Sequence, residues 1–198
     1  STHADHFYTN AAYGNASYTK GQVLLEQLKY IIGDAAFRKG MKRYFEEWKF
    51  RHPKPNDFFR VMEKVSGIEL DWFKEYFVFT TYTIDYKVHR EDVNGIVFQR
   101  LGRIPMPLDV TVTLKSGEIK KFHIPLDIMR GAKKEDSVFG AYTVAEAWPW
   151  ARQFYTLKIG VPVNEVFRVK IDETERLADV ENGDNHFPRQ QIEGGDFT

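Results

Sequence analysis

Two tyrosines five residues apart, Tyr13 and Tyr18, lead into Lys20-Gly21 and then into the apolar run VLLEQLKYII. A phenol held at the start of a helix can donate a hydrogen bond to an oxygen that is gaining negative charge, and the helix dipole favours that charge. The same spacing suits two tyrosines that only pack under a first helical turn, so spacing leaves both readings open. Other candidates are weaker. His3 and His6 could share a helix face, but a zinc site needs three or four ligands, and nothing nearby supplies the rest. They read as polar residues of a chain end. His52, His89, His123 and His186 are scattered over expected loops and strands. Asp109 and Asp127 read as polar positions at strand edges rather than as an acid/base dyad. Asn15-Ala16-Ser17 matches a glycosylation triplet, a pattern common by chance. No nucleophile elbow, Walker A loop or dinucleotide fingerprint is present.

The elements that must carry these residues fall into two halves. Residues 20 to 79 have helical period: Leu24, Leu28 and Ile31/Ile32 recur on one face, and Gly33 suits the position just past a helix end. Asp34 is expected to cap a second helix with the stripe Phe37, Met41, Tyr44/Phe45, Trp48. Pro53 and Pro55 interrupt, and Asn56 or Asp57 restarts a short helix ending at Gly67. Asp71 caps a last one, DWFKEYFVF. From about Thr80 the period drops to 2. Leu108, Val110, Val112 and Leu114 alternate as a half-buried strand, Ser116-Gly117 turns it, and Phe122, Ile124 and Leu126 return. GAKKED reads as a polar loop, and FYTLKIGV and EVFRVKID complete about seven strands. The expected organisation is α+β: a helical part over residues 1–80, an antiparallel immunoglobulin-like β-sandwich over 81–180, and a flexible polar tail over 181–198.

Composition narrows the function classes. The chain has 198 residues, with 28 basic and 28 acidic side chains, no cysteine and 15% aromatics. Surface scaling at this size buries roughly 70% of the unfolded surface, enough for a substantial core. Zero net charge argues against a nucleic-acid-binding face. Without cysteine there are no disulfides, thiolate metal sites or cysteine nucleophiles. No run approaches the length of a membrane-spanning helix. The chain opens at Ser1 with no starting Met and no signal peptide, like a boundary cut within a longer sequence, and no compartment is legible from it.

Taken in order, Tyr18-Thr-Lys20-Gly21, the LLxxL run after it, IGDAAFRKGMKRYFEEW, the proline loop, DFFRVMEKVSGIELDWF and the Tyr76-Phe77 pair resemble the aminopeptidase N family of zinc metallopeptidases, the gluzincins. RIPMPLDVTV and the later Arg168-Val-Lys-Ile-Asp172-x-x-x-Arg176-x-Ala-Asp179-Val stretch resemble its short bacterial members. The resemblance implies that residues up to about 79 are the rear part of a catalytic domain and that the strands are the sandwich domain that follows. It implies that Tyr18 stabilises the tetrahedral intermediate and that Tyr13 supports the substrate pocket. A zinc ion, a zinc-bound water and an upstream glutamate base would do the rest. The family's His-Glu-x-x-His and Gly-x-Met-Glu-Asn motifs do not occur in these 198 residues, so zinc is expected in the intact parent enzyme and not in this chain, which alone is expected to be inactive. Peptide substrate would bind through the upstream half. An apolar surface beside Leu24 and Leu28 would then be open to self-association. The reading of a different class is a non-catalytic module in which helices and a sandwich bind protein or glycan. A zinc-ligand motif roughly 60 to 90 residues before Tyr18 in the parent gene separates the two.

Overall fold

The structure, a computed structural model, describes residues 8–188, apart from the side chains of residues 16 and 17. The chain begins with one continuous helical rod: α1 (Asn10–Gly14), a π-helical turn over Asn15–Thr19, and α2 (Lys20–Ile32). Thr9 caps α1 by accepting from the Ala12 amide at 3.1 Å. Gly33 ends α2 at φ 83°, and the carbonyl of Glu135 lies where a side chain at this position would begin. Glycine is required there for its conformation and for that close approach.

Three more helices follow: α3 (Asp34–Trp48), α4 (Pro55–Ser66) and α5 (Asp71–Phe79). Their starts differ in detail from the sequence reading. Asp34 is the first residue of α3 rather than its cap, and its buried carboxylate takes Lys29 at 3.2 Å together with Arg38. Pro55 opens α4, and Asp57 reaches back to the Lys54 amide at 2.8 Å. Proline suits that first position because its missing N–H would be unsatisfied there in any case. Asp71 also opens its helix from the first turn, where it pairs with Lys74 at 2.8 Å.

The rings of Tyr44, Phe58, Phe59, Phe73 and Trp72 form a series of edge-to-face pairs through α3, α4 and α5, with centroids 5.1–6.4 Å apart. Each such pair adds about 0.5–1.5 kcal/mol beyond its buried area. Leu28, expected at an open apolar face, is instead fully buried in this core. The exposed large apolar residues of the helical part include Met41 and Phe45 on α3, Phe50 after it, Phe79 at the end of α5, and Tyr8, Tyr13 and Tyr18 at its start.

Beyond Thr80 the chain forms strands, arranged in two sheets. β1 (Tyr86–Asp92), β2 (Gly95–Arg100) and β6 (Phe154–Leu157) make a three-stranded antiparallel sheet in the order β1-β2-β6. The second sheet has the order β5-β4-β3-β7-β8, from β3 (Leu108–Leu114), β4 (Ile119–Ile124), β5 (Thr143–Val144), β7 (Val166–Ile171) and β8 (His186–Phe187). The β4–β5 pair is parallel, a departure from an all-antiparallel arrangement. The class is therefore α+β, mixed helices with mainly antiparallel sheets. Residues 182–184 form a 3₁₀ turn before β8 pairs with β7, while residues 189–198 of the expected tail lie outside the described part.

One apolar cluster runs from Leu28, Ile31 and Phe73 in the helices to Val110, Val169 and Ile171 in the second sheet. Strand β3 lies at the centre of that sheet. All but one of its residues are buried, so both of its faces are covered, not one as its alternation suggested.

Candidate active site

The Tyr-x-Lys-Gly residues sit where the first rod changes pitch. Lys20 begins α2, and its amide donates to the carbonyl of Asn15, closing the wide turn that carries Tyr18. Such π turns occur mostly as single insertions in α-helices, often at functional sites. Tyr18 is 70% exposed and Tyr13 is 37% exposed. Their rings meet edge to face with centroids 6.1 Å apart, so the structure brings the two predicted tyrosines together. Gly21 has open space where a side chain would begin. The Lys20 ammonium leaves the rod, donates to the Thr80 carbonyl at 2.9 Å and lies 6.0 Å from the centre of the Phe77 ring. Asn15 of the glycosylation triplet lies within the helical rod, and His3 and His6 fall outside the described residues.

Asp109 is a correction. Far from being strand-edge surface, it is fully buried, because α2 and the 130–142 loop cover that face of β3. Its carboxylate takes His123 Nδ1 at 2.8 Å and the ammonium of Lys133. Its amide donates to the Tyr30 hydroxyl at 2.9 Å. Lys133, placed by sequence in a polar loop, is 1% exposed and also pairs with Asp136 at 2.8 Å. Arg176 completes the group, 2.8 Å from Asp136 and 3.8 Å from Asp109. Asp127 is exposed, accepts from the Trp150 amide at 2.9 Å, and shares no hydrogen-bond partner with Asp109.

The charges of this group set its protonation. Burial opposes ionisation of Asp136, but hydrogen bonds from Arg176 and Lys133 outweigh it and hold the carboxyl well below the usual range. Burial pushes the His123 pKa down, and nearby Lys133 adds to that against the pull of Asp109. The neutral imidazole that donates Nδ1–H to Asp109 leaves Nε2 buried without a partner. Burial likewise drives Tyr30 well up. A buried, charge-paired group of this kind is a junction between helices and sheet rather than a site open to substrate: α2 supplies Tyr30, β3 and β4 supply Asp109 and His123. Sequence reading missed it, although the Ser116-Gly117 hairpin register that sets Asp109 opposite His123 was a usable signal.

Among the described residues no three His, Asp or Glu side chains come together in a way that could hold a metal ion, and no helix is long and apolar enough to cross a membrane.

Residues 3–77 match the family model of the Peptidase family M1 domain. The glutamyl aminopeptidase of Bitis rhinoceros is 33% identical over 90 residues, 46% of this chain and 9% of its own length. Aminopeptidase N of Escherichia coli (strain K12) is 26% identical over 124 residues, 60% of this chain and 13% of its own. Aminopeptidase N of Lactococcus lactis subsp. lactis is 33% identical over 58 residues, 29% and 7% respectively. Over residues 3–77 the chain is thus similar to M1 peptidases, the relatives named are aminopeptidases, and the regions matched span 7% to 13% of their length.

Proposed function

We propose that this chain belongs to a metallo-aminopeptidase that removes N-terminal residues from peptides, and that Tyr18 is its oxyanion donor. The observation that carries the reading is the M1 match over residues 3–77, which includes Tyr18 on an exposed turn beside Tyr13. The names of the relatives support the activity. As the scissile carbonyl becomes tetrahedral, its oxygen gains charge, and the Tyr18 hydroxyl donates a hydrogen bond that strengthens with it. Such a bond is worth more in the transition state than in the ground state, so it acts on kcat. Tyr13, packed edge-on against Tyr18, supports the substrate side of the pocket.

The zinc of such an enzyme is a family-level expectation. The described residues do not fit it, and in this reading its ligands come from the rest of the parent enzyme. In the same reading the helices form the rear of a gluzincin catalytic domain, and the two sheets form an immunoglobulin-like sandwich that follows it. The exposed Met41 and Phe45 are covered by the rest of the parent, and the chain by itself is inactive. The test is Tyr18→Phe in the full-length parent. Loss of one oxyanion donor lowers kcat on the order of 100- to 1000-fold. Retention of more than about a third of wild-type kcat, under roughly 0.7 kcal/mol, contradicts the assignment.

A further inference from the structure

We infer that Lys20 is a positioning residue for Tyr18: its ammonium bolts the wide turn that presents the tyrosine to the carboxyl end of α5. This inference rests on the reading of Tyr18 above.

The argument starts from the turn. A π turn contains one residue more than an α turn, and it persists where the surrounding structure holds it. Lys20 holds it twice. Its amide closes the turn on the Asn15 carbonyl, and its ammonium reaches the Thr80 carbonyl at 2.9 Å. That acceptor is well placed. Thr80 is the residue after the last turn of α5, where carbonyls lack helical partners and the dipole favours a cation. Thr80 is itself held, because its hydroxyl donates to the Tyr76 carbonyl and accepts from the Tyr82 amide at 3.3 Å. Behind it α5 is fixed by Trp72, Phe73 and Phe77, all buried in the core. A rigid path therefore runs from the core through α5, Thr80 and Lys20 to the turn.

Among the described residues Tyr18 has no comparable tie to the core. It is 70% exposed, and its ring meets that of Tyr13 on the same rod. Relaxing the π turn to regular α geometry would shift the phase of everything before Lys20 by one residue, about 100° around the helix axis. Even a misplacement of about 1 Å can cost on the order of 100-fold in rate.

The experiment is a double-mutant cycle in the full-length parent enzyme. Lys20→Met keeps the apolar stem and removes the donor, and should lower kcat roughly 10- to 100-fold with KM near wild type. Lys20→Arg, which restores a cationic donor, should recover most of that loss. Because Lys20 acts through Tyr18, Tyr18→Phe combined with Lys20→Met should be no slower than Tyr18→Phe alone. A merely structural lysine would give losses that multiply, and that outcome overturns the inference. So does a Lys20→Met enzyme that keeps more than about half of wild-type kcat while Tyr18→Phe is impaired. If Tyr18→Phe alone is unimpaired, the fault lies with the tyrosine reading, and the inference falls with it. Should Lys20→Met not fold, Lys20→Leu, which also removes the donor, is carried through the same cycle with the same criteria.

Discussion

Replacing Lys133 with Met should remove a large part of the stability of this chain, and the structure shows where the cost falls. The lysine is 1% exposed, pairs with Asp109 and Asp136, and its ammonium lies 4.8 Å from the centre of the Tyr30 ring. After substitution Asp136 keeps Arg176 at 2.8 Å and the amides of Val138 and Phe139. Asp109 keeps a neutral imidazole and only a distant Arg176, at 3.8 Å, so it is left as a buried and poorly compensated carboxylate. Breaking a buried pair from one side typically costs about 3–5 kcal/mol. The loss should also depend on pH. In the wild type the folded-state pKa of His123 lies below its unfolded value, through burial and then Lys133. The unfolded chain therefore binds the proton first, and stability falls as pH drops below about 6.5. Without Lys133, His123 can protonate against Asp109 and supply the missing charge, so the variant loses less on acidification. Urea unfolding at pH 8 and at pH 5 reads both effects: a gap of about 3–5 kcal/mol at pH 8 that narrows at pH 5. Adding Asp109→Asn to Lys133→Met should recover part of the loss, since it removes the orphaned charge. A gap under about 1 kcal/mol, or one that does not change with pH, refutes the reasoning.

Three further outcomes are expected. Gly33→Ala should destabilise the chain by at least about 2 kcal/mol in the same assay, because a positive φ and the Glu135 carbonyl both exclude a methyl group there. Asp85 is held above the usual carboxylate range by burial and by Glu181, so its ionisation costs stability as pH rises through its folded-state pKa. Asp85→Asn should therefore raise the melting temperature at pH 7 and give no gain at pH 3; a gain at both values would show that charge is not the cause. In the isolated chain the uncovered Met41 and Phe45 should promote self-association, and light scattering that finds a monomer when both are changed to Ser and when neither is would count against that role.

The helices were legible because their signals are local. Apolar spacing, Gly33, the proline pair and Gly67 mark the boundaries of α2 to α5 to within a residue or two. The change of period near Thr80 likewise marks the passage to strands. Less legible was anything decided by what covers an element. Asp109 sits on the polar side of an alternating strand, which reads as solvent-facing until Tyr30 from α2 and Lys133 from a distant loop close over it. The same missing long-range term put Lys133 in a surface loop and Leu28 on an open face. At the candidate site, Tyr13 and Tyr18 were legible as candidates through the family resemblance, although a spacing of five puts two residues on different faces of a regular α-helix. The π turn beneath them and the Lys20 contact with Thr80, 60 residues away in sequence, were not. Propensity and periodicity describe a turn's neighbours in the chain and carry no information about such a contact.

The most direct test of the central proposal is a crystal structure of the full-length parent with a phosphinic peptide, whose anionic tetrahedral centre imitates the intermediate. The account predicts the Tyr18 hydroxyl donating to a phosphinate oxygen at about 2.5–3.0 Å, with Tyr13 beside it along the bound peptide. A Tyr18 hydroxyl turned away from the inhibitor, with another group donating to that oxygen, would contradict it.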